Sequence, residues 1–314
     1  MKEGLSPMKR FFKSLVIMSA AAAVVGSTGM SLAQDAAKPA AGLPVRYEEL
    51  TSPDFIQAVA KSGGTCIIPV GILEKHGPHL PLGTDLLDCR ELSLRAAAKE
   101  YTIVFPQYYF GQIFEAKHQP GTVAYSVHLM LDLLQETCDE LARNGIKKII
   151  LVNGHGGNEQ FLQYFCQAQL AAKKDYAVFL YDPSDDSSVA DALKKMRKTT
   201  LDGHAGEEET SSMLAHRPDL VHMDRANDQS GEDEKRLAGL KHAYTGIWWY
   251  ASQPNHYRGF GAAGTKEMGE TMLNLESGLL AEMICSVKAD TKTLELQKMF
   301  FEGSDKPLET KQKK

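Results

Sequence analysis

Three short segments concentrate the side chains that bind divalent metals. The first runs Gly71-Ile72-Leu73-Glu74-Lys75-His76-Gly77-Pro78-His79-Leu80-Pro81-Leu82-Gly83-Thr84-Asp85 and places Glu74, His76 and Asp85 within twelve residues of Gly/Pro-bent backbone. Residues i and i+2 of extended backbone point the same way, so Glu74 and His76 can share a site. The second, Asn153-Gly154-His155-Gly156-Gly157-Asn158, sets an imidazole in a glycine-rich turn that lets other groups approach closely. The third, His204-Ala205-Gly206-Glu207-Glu208-Glu209-Thr210-Ser211, opens a helical stretch. Mixed carboxylate and imidazole ligands suit Zn, Mn or Fe, and the absence of thiolates argues against a purely structural zinc. Taken singly, a loop histidine is ordinarily a satisfied surface or core residue, and Glu207–Glu209 would be a helix start favoured by the dipole. His79, His118, His216, His222, His242 and His256 stay mostly in that ordinary class.

The elements that must position these groups follow from periodicity. Thr65–Val70 (TCIIPV) and Lys148–Val152 (KIILV) are short continuous apolar runs, the signature of strands buried on both faces. Thr102–Phe105 and Ala177–Tyr181 read as two more strands. Helical patterns cover Ser52–Ser62, with Ser52 as cap and Pro53 in the first turn, then Leu86–Lys99, Val127–Asn144, Asn158–Lys174 and Gly264–Val287. On the third of these, Leu129, Leu133, Leu134, Cys138 and Leu141 share one face, and Gly145 ends it. Strands alternating with helices imply βαβ units: an α/β fold with a mostly parallel sheet flanked by helices on both faces. Right-handed crossovers bring the loops after the strands to one edge, where open parallel sheets bind ligands. The first two clusters lie just past Val70 and Val152, and that coincidence marks them as a site.

The 314 residues suffice for one large domain or two small ones. Hydrophobic residues make up 43% and charged residues 24%, which excludes wholesale disorder and fibrous proteins. A net charge of -5 offers no basic excess for nucleic acid. The long apolar run is Leu15–Val25, preceded by Lys2, Lys9, Arg10 and Lys13 and followed by Ser31-Leu32-Ala33. A basic stretch, a short apolar core and a small-x-small site form a secretory signal peptide. The run is too short for the roughly 20 residues a bilayer needs. Residues 1–33 are therefore expected to be removed, leaving a periplasmic or secreted chain near -8 with no stable membrane insertion. Residues 34–49 read as a flexible tether, Asp224–Lys241 as a charged loop and 289–314 as a C-terminal tail. Cys66, Cys89, Cys138, Cys166 and Cys285 form no CxxC pair and read as buried free thiols.

In order, ProValGly-x-x-Glu-x-HisGlyProHisLeuProLeu-x-ThrAsp, AsnGlyHisGlyGlyAsn and HisAlaGlyGlu-x-GluThrSer resemble the creatininase (creatinine amidohydrolase) family. His118-Gln-Pro-Gly-Thr122, Pro218–Val221 and Gly259–Gly269 are also similar to its pattern, so the likeness runs from about Leu50 to about Glu282. The resemblance implies a flavodoxin-like single domain over 50–288 and a dinuclear site holding two divalent ions, Zn or Mn before Fe. It also implies a homo-oligomer, a hexamer in the family. Residue by residue, Glu74, His76, Asp85 and His155 match metal ligands, Asp85 matches the bridging carboxylate, and His204 matches a proton-shuttling histidine. Where creatininase proper has a Tyr-Glu pair whose Glu binds metal, this chain has Gly156-Gly157, as do other branches. Glu207 is expected to supply the missing ligand, on the first helical turn three residues from His204, while Glu209 orients His204; Glu209 is the competing choice for that ligand.

The implied reaction is attack by metal-activated water on a non-peptide amide of a small molecule, a cyclic amide or formamide. Backbone N–H groups of Gly156-Gly157 would help hold the oxyanion. His118 would line the pocket, and Trp248 and Trp249, in GIWWYASQPNHYRGF, would either close over the substrate or pack in an interface or core. A metallopeptidase is the nearest alternative. A solute-binding protein would need two similar lobes and no metal cluster.

Overall fold

The computed structural model describes residues 42–312. The signal peptide and the first part of the tether lie outside the described residues. Four strands form one sheet: β1 (Thr65–Val70), β2 (Ile103–Val104), β3 (Lys148–Asn153) and β4 (Ala177–Leu180). All neighbours are parallel, in the order β2-β1-β3-β4. Cys66 of β1 lies beside Ile103 on one side and Ile149 on the other, and Lys148 lies beside Ala177.

The helices, in chain order, are α1 (Ser52–Lys61), α2 (Thr84–Lys99), α3 (Val127–Arg143), α4 (Glu159–Ala168), α5 (Ser188–Met196), α6 (Glu207–His216), α7 (Trp248–Ser252), α8 (Lys266–Ala289) and α9 (Lys292–Ser304). Strand side chains alternate between two helical layers. Cys66, Ile68, Val70, Ile149 and Leu151 pack with Ala58 of α1, Leu134, Cys138 and Leu141 of α3, and Leu162 and Phe165 of α4. Ile67, Ile150 and Val152 pack with Cys89, Leu92 and Ala96 of α2, Ala215 of α6, and Leu273, Leu280 and Ile284 of α8. Burial on both faces is why β1 and β3 are apolar throughout. Each such buried isoleucine contributes about 1.5–3 kcal/mol. The result is a single α/β domain.

Several element boundaries differ from expectation. Thr51, not Ser52, caps α1 by accepting from Asp54 N at 3.3 Å. On α3, Leu129 is exposed while Leu134, Cys138 and Leu141 are buried. α4 stops at Ala168, and a 3-10 turn, Gln169–Ala171, finishes it. α5 was not expected. Half of the supposed tail is α9: Asp290 accepts from Lys292 N, Phe301 is buried, and Gln297 donates to Tyr176 O at 2.8 Å just before β4. Asp224–Lys241 holds no strand or α-helix, in keeping with its charge. The five cysteines are unpaired; Cys66, Cys89 and Cys138 are buried, but Cys285 is exposed.

Two glycines bring α2 onto the strand ends. A Cβ at Gly71, just past β1, would stand 2.7 Å from Leu86 N and 2.8 Å from Asp85 C. A Cβ at Gly154, just past β3, would stand 2.5 Å from Cys89 Cβ and 2.6 Å from Asp85 O. Without side chains at both positions, the first turn of α2 sits between the two strand exits, and Asp85 rides on that turn.

Candidate metal centre

The loop after β1 folds back on itself. Glu74 N donates to Leu82 O at 3.0 Å, Leu80 N to His76 O at 3.3 Å, and Gly77 takes a φ of +56°. This turns Glu74 and His76 toward the sheet edge, where both are fully buried. Asp85 divides its oxygens between two histidines. Oδ1 is 2.8 Å from His76 Nε2, and Oδ2 is 3.2 Å from Nδ1 of His155, which follows β3. Glu74 Oε1 is 2.9 Å from the same Nδ1.

Glu74 Oε1 and Asp85 Oδ2 are buried, and no group among the described residues hydrogen-bonds to them. Unsatisfied buried carboxylate oxygens are costly. Ligand atoms of Glu74, Asp85 and His155 lie within 4.8 Å of one another, as do those of Glu74, His76 and His204. The two groups share Glu74, and Asp85 reaches toward a histidine of each. The charges fit as well. Burial opposes charge on His76, but Asp85, Glu74 and Glu209 outweigh it and hold its pKa at about 10. His155 is likewise raised, against burial, by Glu74 and Asp85. Burial would raise Glu74, but His155 and His204 hold it well below the usual range. Such a cluster of acids holding protons on its histidines is one a cation can take over.

The third segment corrects one assignment. Glu207 does not face the cluster. Its carboxylate accepts from Lys198 N at 2.9 Å, Thr199 N at 2.9 Å and the Thr199 hydroxyl at 2.7 Å, and these bonds keep its pKa low despite burial. Helical spacing from His204 fails because the helix begins only at Glu207. Ala205 takes a φ of +52° and Gly206 is extended. Glu209, one step further round α6, points inward instead. Its Oε2 is 3.8 Å from His76 Nε2 and 3.9 Å from His204 Nδ1, and it accepts from Ala205 N at 2.6 Å. Its enclosure, together with Asp85 and Glu74, pushes its carboxyl up to about 8 against the pull of His76. His204 is pinned by backbone pairing with Arg258, and its ring Nε2 lies 2.9 Å from Lys75 O. A carbonyl only accepts, so Nε2 carries the proton and Nδ1 keeps its lone pair. Burial pushes the His204 pKa down to about 3.

A cavity of about 1170 Å³ opens over the cluster. Glu74, His155, His204 and Glu209 form its floor, and His118, Gly156, Gly157, Trp248 and Trp249 line it. Glu207 is absent from the lining. His118 stays on the wall, donating to Pro254 O at 3.0 Å and meeting Tyr250 edge-on. A Cβ at Gly156 would meet nothing within 4 Å, whereas one at Gly157 would collide with His155 Nε2 and Glu115 Oε1. As the turn stands, it supplies no carboxylate.

Sequence reasoning missed His256. It is buried, its Nε2 bonds Glu74 Oε2, and its ring centroid is 4.5 Å from that of His204. No ligand spacing surrounds it; the aromatic stretch containing it was the available signal. His79 is structural as expected, bonded to Thr210 Oγ1 at 2.8 Å, and His216 pairs with Asp88 at 2.6 Å.

The creatinine amidohydrolase family profile matches residues 48–284. Creatinine amidohydrolase of Pseudomonas putida is 31% identical over 194 residues, covering 57% of this chain and 75% of that protein. Mycofactocin precursor peptide peptidase of Mycolicibacterium smegmatis is 34% identical over 168 residues; the match spans half of this chain and 60% of that one. A solved manganese form of creatininase superposes with a TM-score of 0.65 at 25% identity, over 76% of this chain and 97% of its own. With the matched region covering the sheet, both helical layers and every residue of the cluster, the chain belongs to the creatininase family.

Proposed function

We propose that this chain is a metal-dependent hydrolase of carbon–nitrogen bonds other than peptide bonds, working with two divalent ions, Zn or Mn. The observation that carries the reading is the convergence of Glu74, His76, Asp85 and His155, with carboxylate oxygens left unsatisfied, at the floor of an open cavity. The fifth ligand in this reading is Glu209. When bound, two divalent ions would supply Lewis-acid polarisation of a carbonyl and a hydroxide nucleophile near neutral pH.

The chain's own residues do the rest. Asp85 and Glu74 concentrate negative charge where cations must sit. His204 presents its unprotonated Nδ1 toward Glu209 and serves as the base that moves a proton to the leaving nitrogen. Glu209, 3.9 Å from that Nδ1, gives up its proton on binding metal and as a carboxylate keeps the ring in place. Gly156 leaves room for the substrate to press against backbone. Trp248, Trp249 and His118 form the wall against which the substrate packs.

One observation favours a second reading, a peptidase. The cavity exceeds the roughly 300–1,000 Å³ that suits drug-sized ligands, in keeping with the 34% identity over 168 residues to a peptide peptidase. The deciding experiment is a screen of cyclic amides, formamides and short peptides on metal-loaded protein. Turnover of cyclic amides or formamides alone supports the proposal, and turnover of peptides alone replaces it. We also propose that the protein is exported, with a mature N-terminus near Gln34, and assembles as a homo-oligomer. N-terminal sequencing of the periplasmic fraction and light scattering test these points.

A further inference from the structure

Trp249, His256 and Glu74 form a hydrogen-bonded chain from the aromatic wall of the cavity to its metal-binding floor. Trp249 Nε1 lies 2.7 Å from His256 Nδ1, and His256 Nε2 bonds Glu74 Oε2. An indole N–H can only donate. His256 Nδ1 is therefore the acceptor, the ring proton sits on Nε2, and Nε2 donates to the carboxylate. This occupies Glu74 Oε2 and leaves Oε1 on the side of His155 and Asp85, free of hydrogen bonds.

The backbone is bent to make this contact. His256 takes a φ of +50°, in the left-handed region that residues other than glycine seldom use. Such a conformation persists when its surroundings hold it, and it clusters at functional sites. Here His256 N donates to Gln253 O at 2.9 Å, and Lys75 Nζ donates to Asn255 O at 2.7 Å and to Gln229 Oε1 at 2.7 Å. Lys75 stands between the ligands Glu74 and His76. The loop carrying two candidate ligands is thus tied to the segment carrying His256 by a second, independent bond.

We infer that His256 and Trp249 are positioning residues: His256 orients Glu74 for metal, and Trp249 fixes the His256 tautomer that does so, coupling the cavity wall to the metal cluster. Groups that hydrogen-bond to a metal ligand commonly set metal affinity by 10–100-fold. The inference rests on the metal reading above and goes beyond it by assigning two residues outside the ligand set.

The test measures Zn²⁺ and Mn²⁺ affinity of the whole mature chain by competition with a chromophoric chelator. His256→Asn keeps a residue that tolerates the left-handed backbone but is too short to reach both partners, and it should weaken metal binding about 10–100-fold. Trp249→Phe should weaken it severalfold. Because Trp249 acts through His256, the doubly substituted chain should bind no more weakly than His256→Asn alone. The chain has two tryptophans, so Trp248→Phe leaves Trp249 as sole reporter. Its emission should respond saturably to metal, and His256→Asn should abolish that response. Unchanged affinity in His256→Asn, additive losses in the double variant, or Trp249 emission indifferent to metal would each overturn the inference. Should His256→Asn fail to fold, Trp249→Phe alone decides it, unchanged affinity counting against. Parent protein that binds no metal would fell the metal reading itself, whereas tight binding by parent and variants alike would fell only the relay.

Discussion

Glu207 and Glu209 stand two residues apart on α6 and point to opposite sides. Glu207 is buried against Lys198 and Thr199, while Glu209 lies 3.8 Å from His76 and 3.9 Å from His204. One carboxylate holds the 197–199 segment to the helix, and the other completes the cluster. The two isosteric substitutions should therefore separate. Glu207→Gln places an amide before three donors and should cost about 1–3 kcal/mol of stability, with metal content unchanged. Glu209→Gln should leave the melting temperature of the metal-free protein within a few degrees and lower metal occupancy together with the rate. Elemental analysis beside thermal melts distinguishes them, and metal loss in Glu207→Gln would reverse the assignment.

Asp85 and His76 should differ in the number of ions they control. Asp85 offers one oxygen toward His76 and the other toward His155. Asp85→Ala should strip both ions, whereas His76→Ala should weaken mainly one. Two ions per chain retained in purified Asp85→Ala would remove the bridging role.

Metal-free protein should show a distinctive pH dependence. The folded state raises His76 from an ordinary value near 6.5 to about 10. The stabilisation this represents is complete below pH 6.5 and is lost as pH rises through 10. Glu209, raised to about 8, acts in the same direction between about 4.5 and 8, because its proton must leave a site that favours keeping it. The His204 shift lies below pH 6.5 and adds nothing in this window. Metal-free melting temperature should thus fall from pH 6.5 to 10. Metal binding must displace these protons, so apparent affinity should rise over the same range, with proton release measurable in weak buffer. A metal-free melting temperature that climbs across that window contradicts the charge assignment.

The legible part of this protein was what local pattern dictates. β1 and β3 read as buried strands because both their faces are covered, and the clusters after Val70 and Val152 were findable because parallel sheets open their sites at that edge. Glu74, His76, Asp85 and His155 meet there. Helical spacing does not carry from His204 to Glu207, because Ala205 and Gly206 break the periodicity before α6 starts. His256 was invisible for another reason. It reaches Glu74 across 182 positions of sequence from an irregular segment, and only the fold brings the two together. α9 reads as tail in the sequence because Lys292–Ser304 exposes Leu296, Met299 and Phe300 and buries little beyond Phe301, so no clean apolar stripe announces it.

His204 is the residue whose role the geometry constrains most closely without deciding from sequence. It lies close enough to Glu74 and His76 to act as a ligand, yet Nε2 is committed to Lys75 O at 2.9 Å. A ligand would have to use Nδ1, the atom that faces Glu209. Burial holds the metal-free ring neutral, with its pKa pushed down to about 3, so Nδ1 keeps its lone pair before the reaction starts. His204→Asn should therefore keep two ions per chain and lower kcat by roughly 10²–10⁴-fold, the range for losing a general base. KM should change little, because the role proposed for the ring is proton transfer and not substrate binding. Glu209→Gln in the His204→Asn background should cost less than it does alone if Glu209 acts through the ring, and the full amount if it acts as a ligand. Loss of an ion in His204→Asn would make the histidine a ligand and move the proton transfer to Glu209.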